Sequence, residues 1–190
     1  MNVVAIVGSL RSVSTSRHAL RRAAQGAARA GAEVEWLDLK DYTLPLCDGR
    51  TDTDTYGRDF QRMRALVQRA DALLIGSPEY HGSMTGALKN ALDLLGEEPV
   101  RGKLVGLCAV ARGDAGAMNT LNHLRHVLRW MGAWVLPTQV SIPRAREAFD
   151  PAGEPVRPGL AAELELLGAE TVRYAGLLAG GAVPPLPSRS

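Results

Sequence analysis

The sequence predicts an α/β protein: a three-layer α/β/α sandwich built on a five-stranded parallel sheet. Three observations lead there. Short apolar runs alternate along the chain with longer stretches of helical period. The runs are continuous in apolar residues, as in strands buried on both faces. Glycine-bearing turns lead from several runs into the next helix, so parallel strands are joined by crossovers, right-handed because strands twist one way.

The elements follow in order. Residues 3–7 are a continuous, largely β-branched run, the first strand, ended by Gly8. Residues 15–30, rich in Ala and Arg, form a helix closed by Gly31. The second strand is 33–39; 41–56 is a loop carrying Pro45, Gly49 and several Asp and Thr. A helix over 56–69 places Phe60, Met63, Val67 and Ala70 at helical spacing, and 72–76 is the third strand. Met84, Ala87, Leu88, Ala91, Leu92 and Leu95 mark one face of the next helix. The fourth strand is 104–110, and Ala117, Leu121, Leu124, Leu128 and Met131 mark the fourth helix. The fifth strand, 134–140, contains Pro137, which suits an edge or a bend. A proline-bearing loop over 143–158 precedes a last helix over 160–178, and the Pro-rich tail at 181–190 is expected to be disordered. With no repeat and no linker, residues 1–180 form a single domain.

Composition bounds the function. Of 190 residues 46% are apolar and 22% charged, with a net charge of +2 and basic residues spread along the chain, which argues against a nucleic-acid partner. No apolar run approaches the ~18 residues of a membrane span. The N-terminus reads as a strand, not a secretory leader. Cys47 and Cys108 form no CxxC pair and no metal spacing, in keeping with the reducing cytoplasm. His123 and His126 share a helix face without a third ligand nearby in sequence and read as a surface or interface pair. A G-x-S-x-G elbow is absent.

Open parallel sheets bind ligands outside the carboxyl ends of their strands, where strand order reverses. The loops to inspect therefore follow strands one, three and four. The first, 8–17, runs into a helix N-terminus, which presents unpaired N–H groups. Ser9, Ser14 and Ser16 add hydroxyls and Arg11 a charge, a set suited to a phosphate. The alternative is that Ser14 only caps the helix while the other serines and Arg17 face water. Neither GxGxxG nor GxxxxGK[ST] is present, which excludes the standard dinucleotide fingerprint and a P-loop triphosphatase. After strand three, Pro78, Tyr80 and small residues make a stiff loop whose backbone N–H groups suit a flat heteroaromatic ring; alternatively Tyr80 only covers the sheet edge. After strand four, the turn over 109–117 carries Arg112 and Asp114, either a solvated ion pair or, through Arg112, a contact to a phosphate-bearing nucleotide.

GSLRSVSTSR followed by SPEYHGSMTGALKNALD resembles the NADPH-dependent FMN reductase family, which includes quinone, azo-dye and chromate reductases. The resemblance covers roughly residues 3–140 and implies a flavodoxin-like fold. It implies that Ser9, Arg11, Ser14 and Ser16 hold the FMN phosphate, with Ser16 where the family often has Asn. Pro78, Glu79, Tyr80, His81, Gly82 and Ser83 would line the flavin ring, with His81 at a usual Asn position. Arg112 and Gly113 occupy a turn that commonly touches the ring edge or ribityl chain; Lys89 and Asn90 match the family helix and read as structural. The implied activity passes electrons from NADPH or NADH through FMN to a small-molecule acceptor such as a quinone, azo compound, metal oxyanion or flavin, with ping-pong kinetics. The cofactor carries the chemistry, so no catalytic residue is named. The competing readings are a non-enzymatic flavodoxin-like electron carrier and a flavin-binding sensor; carriers tend to be acidic, and a sequence pI near 8.7 favours the reductase. The resemblance also implies a homodimer or homotetramer; Trp130, Met131 and Trp134, near the fourth helix, read as core or interface residues.

Overall fold

A computed structural model describes residues 1–180. The tail at 181–190 lies outside the described residues. Five parallel strands, β1 (Asn2–Val7), β2 (Glu33–Asp38), β3 (Ala72–Pro78), β4 (Leu104–Val110) and β5 (Trp134–Ile142), form one sheet in the order β2-β1-β3-β4-β5. Five helices cover its faces: α1 (Thr15–Arg29), α2 (Arg58–Gln68), α3 (Gly86–Leu95), α4 (Met118–Trp130) and α5 (Leu160–Gly180).

Alternation along the strands builds two cores. Val4 and Ile6 of β1 face α2, α3 and α4, where Phe60, Met63, Leu88 and Leu121 are buried with them. Val3, Ala5 and Val7 face α1 and α5, among Leu20, Ala23, Leu164 and Leu167. Both sets are apolar, which is why the runs read as continuous. On the second face α1 and α5 approach closely. A Cβ on Gly168 would stand 1.9 Å from the Ala23 carbonyl oxygen, and one on Gly26 would stand 2.0 Å from that of Glu165.

Several boundaries differ from expectation, each for a local reason. Thr85 caps α3 by accepting a hydrogen bond from Leu88 N–H, so the helix starts at Gly86, and β3 runs on to Pro78 because Ser77 and Pro78 pair with Ala109 and Val110 of β4. Gly57, with φ 90°, sets the start of α2 at Arg58, and the preceding loop contains short 3-10 turns at Leu39–Asp41 and Thr53–Tyr56. On the edge strand β5, Pro137 falls within the interruption of the β4 ladder, between the Val105–Val135 and Leu107–Gln139 pairs. Proline lacks the N–H a ladder needs, and an edge position tolerates it.

Strand order reverses between β1 and β3, which pair with each other while their connections run to opposite sides of the sheet. Gly8 N–H donates to Gly76 O at 2.8 Å there, and the Thr85 hydroxyl donates to Gly8 O at 2.5 Å. A Cβ on Gly8 would lie 3.0–3.2 Å from Leu88 and Gly76, so the close passage of the two loops requires a small residue.

Candidate cofactor site at the carboxyl ends of the strands

The loop from β1 into α1 is shaped by its own side chains. Ser9, Ser14 and Ser16 are all buried. Ser9 Oγ accepts from Arg11 N–H at 3.3 Å, Ser14 and Ser16 share a hydroxyl hydrogen bond of 2.9 Å, and Ser14 caps α1 by accepting from Arg17 N–H. Thr15 and Ser16 N–H, in the first turn, have no partner among the described residues. Arg17 does not face water. Its guanidinium grips Asp38 at the end of β2 through bonds of 2.6 and 3.1 Å and donates to Arg11 O and Ser12 O at 3.0 and 2.9 Å. That clamp fixes the loop and leaves Arg11 exposed.

After β3, Tyr80 and Ser83 exchange backbone hydrogen bonds of 2.8 and 3.1 Å around a tight turn. His81 and Gly82 at its tip have φ 51° and 77°, the left-handed pair that a primed hairpin turn requires. Histidine is among the non-glycine residues that enter this region more readily. The N–H groups of His81 and Gly82 have no partner among the described residues. Glu79 N–H donates to Val110 O at 2.8 Å, tying this loop to the end of β4. The Glu79 carboxylate accepts from Thr120 N–H at 3.0 Å and caps α4, which has no cap from its own Ala117. Ser83 Oγ lies 3.0 Å from His123 Nδ1, so His123 belongs to the outer side of this turn. Asn90 pins the 41–56 loop, donating to Pro45 O and accepting from Cys47 N–H, while Lys89 pairs with Asp93 along the helix.

These loops surround a cavity of about 730 Å³, within the range of small-molecule and cofactor sites. Ser9, Arg11, Ser14, Ser16, Pro78, Glu79, Tyr80, His81 and Arg112 line it. Gly82, Ser83 and Gly113 do not: the Ser83 hydroxyl meets His123 instead, and the backbone of Gly113 receives the N–H of Arg144 at 3.3 Å. The segment after β5 supplies a wall that the sequence did not reveal, through Ala145, Arg146, Phe149 and Asp150. It docks on α1, where the Thr15 hydroxyl donates to Ala145 O at 3.3 Å and the rings of His18 and Phe149 stand 5.8 Å apart. Burial holds the His18 pKa below its ordinary value, with Arg21 and Arg17 adding to the shift and Asp150 opposing it. Only the proline-rich composition of 143–158 hinted at a shaped loop.

Three hydroxyls, helix N–H groups without partners and an unpaired arginine could hold a phosphate, and the His81 turn lines the same cavity. This donor set fits a flavin mononucleotide. In a sheet of this order, fold and cradle together define a flavodoxin-like flavoprotein.

The family model for NADPH-dependent FMN reductase matches residues 1–147, and the chain belongs to that family. It is 33% identical over 151 residues, 80% of each chain, to an NAD(P)H-dependent FAD/FMN reductase of Geobacillus thermodenitrificans. It is 35% identical over 161 residues to an NAD(P)H-dependent FMN reductase of Pseudomonas aeruginosa, covering 80% of this chain and 83% of the relative. Among solved structures it is similar to the NAD(P)H:acceptor oxidoreductase FerB of Paracoccus denitrificans, at 25% identity and a TM-score of 0.74, covering 93% and 97% of the two chains. The protein is an oxidoreductase that uses FMN and NADPH or NADH and delivers electrons to a small-molecule acceptor.

Proposed function

We propose that Ser9, Arg11, Ser14 and Ser16, with the first turn of α1, hold the FMN phosphate. The flavin ring then lies against Pro78, Glu79, Tyr80 and His81, with Arg112 at its edge. The buried hydroxyl trio beside unpaired N–H groups at the cavity wall carries this reading. FMN, when bound, supplies the two-electron chemistry. The chain's own residues bind it, fix its orientation and present amides. Arg17 holds the cradle in shape; the Tyr80–Ser83 turn keeps its N–H groups directed outward by pairing its ends; Glu79 anchors α4 behind the ring site. Backbone N–H groups near the pyrimidine edge favour negative charge on the reduced cofactor, so no general base is required.

The acceptor is a quinone, an azo compound, a metal oxyanion or free flavin, and relatives named FAD/FMN reductase and FMN reductase support the last. The protein works in the cytoplasm, in keeping with two free cysteines. Among the described residues no helix is long and apolar enough to cross a membrane. It assembles as a homodimer or homotetramer, and the exposed Trp130 and Trp134, 68% and 61% accessible, with the groove between α3 and α4 form the contact face.

The test compares FMN with riboflavin, which lacks the phosphate. The wild-type protein binds FMN far more tightly, and Ser9→Ala with Arg11→Ala removes about tenfold to a hundredfold of that preference while leaving riboflavin binding unchanged. Equal weakening of both flavins would place the phosphate elsewhere.

A further inference from the structure

The cavity holds more cationic groups than one phosphate needs. Arg11, Arg112 and Arg146 line it. Other arginines face carboxylates, as Arg17 faces Asp38, Arg69 Glu35 and Arg157 Glu163. The guanidinium groups of Arg11, Arg112 and Arg146 make neither an ion pair nor a hydrogen bond among the described residues.

Arg112 and Arg146 are set next to one another by the backbone. Ala145 N–H donates to Ala111 O at 2.9 Å, and each arginine directly follows one partner of that bond. Arg144 pairs with Asp114, while Arg112 and Arg146 make no ion pair among the described residues. The carboxylates of the cavity wall are engaged elsewhere: Glu79 by Thr120 N–H and Asp150 by Glu154 N–H at 2.9 Å. The wall is fixed on α1 through Thr15 and through the contact of Phe149 with His18, which also line the cavity. Two like charges held together in a cleft repel one another, and a dianion seated between them relieves this.

We propose that Arg112 and Arg146 form a second anion subsite that takes the ribose 2′-phosphate of the donor dinucleotide and so makes NADPH the preferred donor. This rests on the placement of the FMN phosphate at Arg11 and the serines. A terminal phosphate carries nearly two charges and offers three acceptor oxygens to two guanidinium forks, whereas each phosphate of a pyrophosphate carries one charge. The Phe149 ring, which lines the same cavity, gives the adenine an aromatic face to stack on.

The experiment uses FMN-loaded protein carrying Arg112→Ala, Arg146→Ala or both. KM is measured for NADPH and NADH, and binding of 2′,5′-ADP and 5′-AMP is measured by calorimetry. Both arginines are exposed and unpaired, so folding is preserved. Each single change raises KM for NADPH by about tenfold to a hundredfold and weakens 2′,5′-ADP by the same factor. NADH and 5′-AMP shift less than about twofold, and in Arg146→Ala, whose side chain is outside the proposed flavin contacts, kcat is little changed and FMN affinity is retained. Arg146→Lys recovers part of the loss, since charge remains but the fork is gone. Equal losses for both nucleotides would assign the pair to the pyrophosphate and overturn the proposal; so would no loss for either. A matching loss of FMN affinity in Arg146→Ala would assign the pair to the flavin and overturn the proposal. Failure of the FMN placement itself is a separate result, seen as Ser9 and Arg11 variants that bind FMN normally.

Discussion

Replacing Arg17 by Met separates shaping the cradle from touching the ligand. Methionine keeps the apolar stem and removes four hydrogen bonds, two to Asp38 and two to the loop carbonyls of Arg11 and Ser12. Both partners of the ion pair are only 13% exposed at their side chains, so Asp38 is left with a poorly solvated charge. A hydrogen bond to a charged group contributes about 1.5–3 kcal/mol, and breaking a fully buried pair costs about 3–5 kcal/mol. Partial exposure brings the loss to roughly 3 kcal/mol, which for a chain of this length lowers Tm by about 6–12 °C. Freeing one or two loop residues, at about 1–2 kcal/mol of ordering entropy each, weakens FMN by roughly tenfold to a hundredfold. Arg11→Ala serves as the contrast. Its guanidinium has no partner among the described residues, so FMN affinity falls while the Tm of the flavin-free protein stays within about 1 °C. Thermal unfolding of flavin-free protein and quenching of FMN fluorescence read the two effects. A flavin-free Arg17→Met protein with unchanged Tm, or one that binds FMN normally, would refute the clamp.

Three further outcomes follow from the geometry. Gly168→Ala destabilises the protein by about 1–3 kcal/mol or more, because the new methyl meets the Ala23 carbonyl at 1.9 Å; helix propensity alone predicts the opposite sign, so thermal unfolding decides between them. His18 has a folded-state pKa below its ordinary 6.5, so the unfolded chain binds the proton more readily and stability falls as pH drops through that interval. Between pH 7 and pH 5 the wild type therefore loses more Tm than His18→Gln, and equal slopes would contradict the depressed pKa. Of the two thiols, Cys47 is exposed and Cys108 is buried with its pKa pushed up to about 12, so a disulfide reagent at pH 8 modifies one thiol in the native state and two in denaturant.

What the sequence made legible was local. Continuous apolar strands, helical faces and the serine-rich turn all lie within short windows, and the starts of β3 and α1 stand where those windows put them. What stayed hidden depends on partners far apart in the chain. Arg17 reads as a first-turn surface residue until Asp38 is brought beside it by β2. The segment 143–158 reads only as a proline-bearing loop until Ala145 bonds to Ala111 and Phe149 meets His18. Glu79 sits in the expected loop, yet its carboxylate is spent on the amino end of α4. Gly82 and Ser83 sit in the expected loop but do not line the cavity, in a hairpin whose geometry only the positive φ values of His81 and Gly82 disclose.

The central claim, that this chain passes electrons from a nicotinamide nucleotide through bound FMN, is tested by adding NADPH and then NADH anaerobically to the FMN-loaded protein while following the visible flavin band. The band bleaches within the time of turnover and returns when a quinone or free flavin is added. A band that persists at saturating amounts of both nucleotides would contradict it.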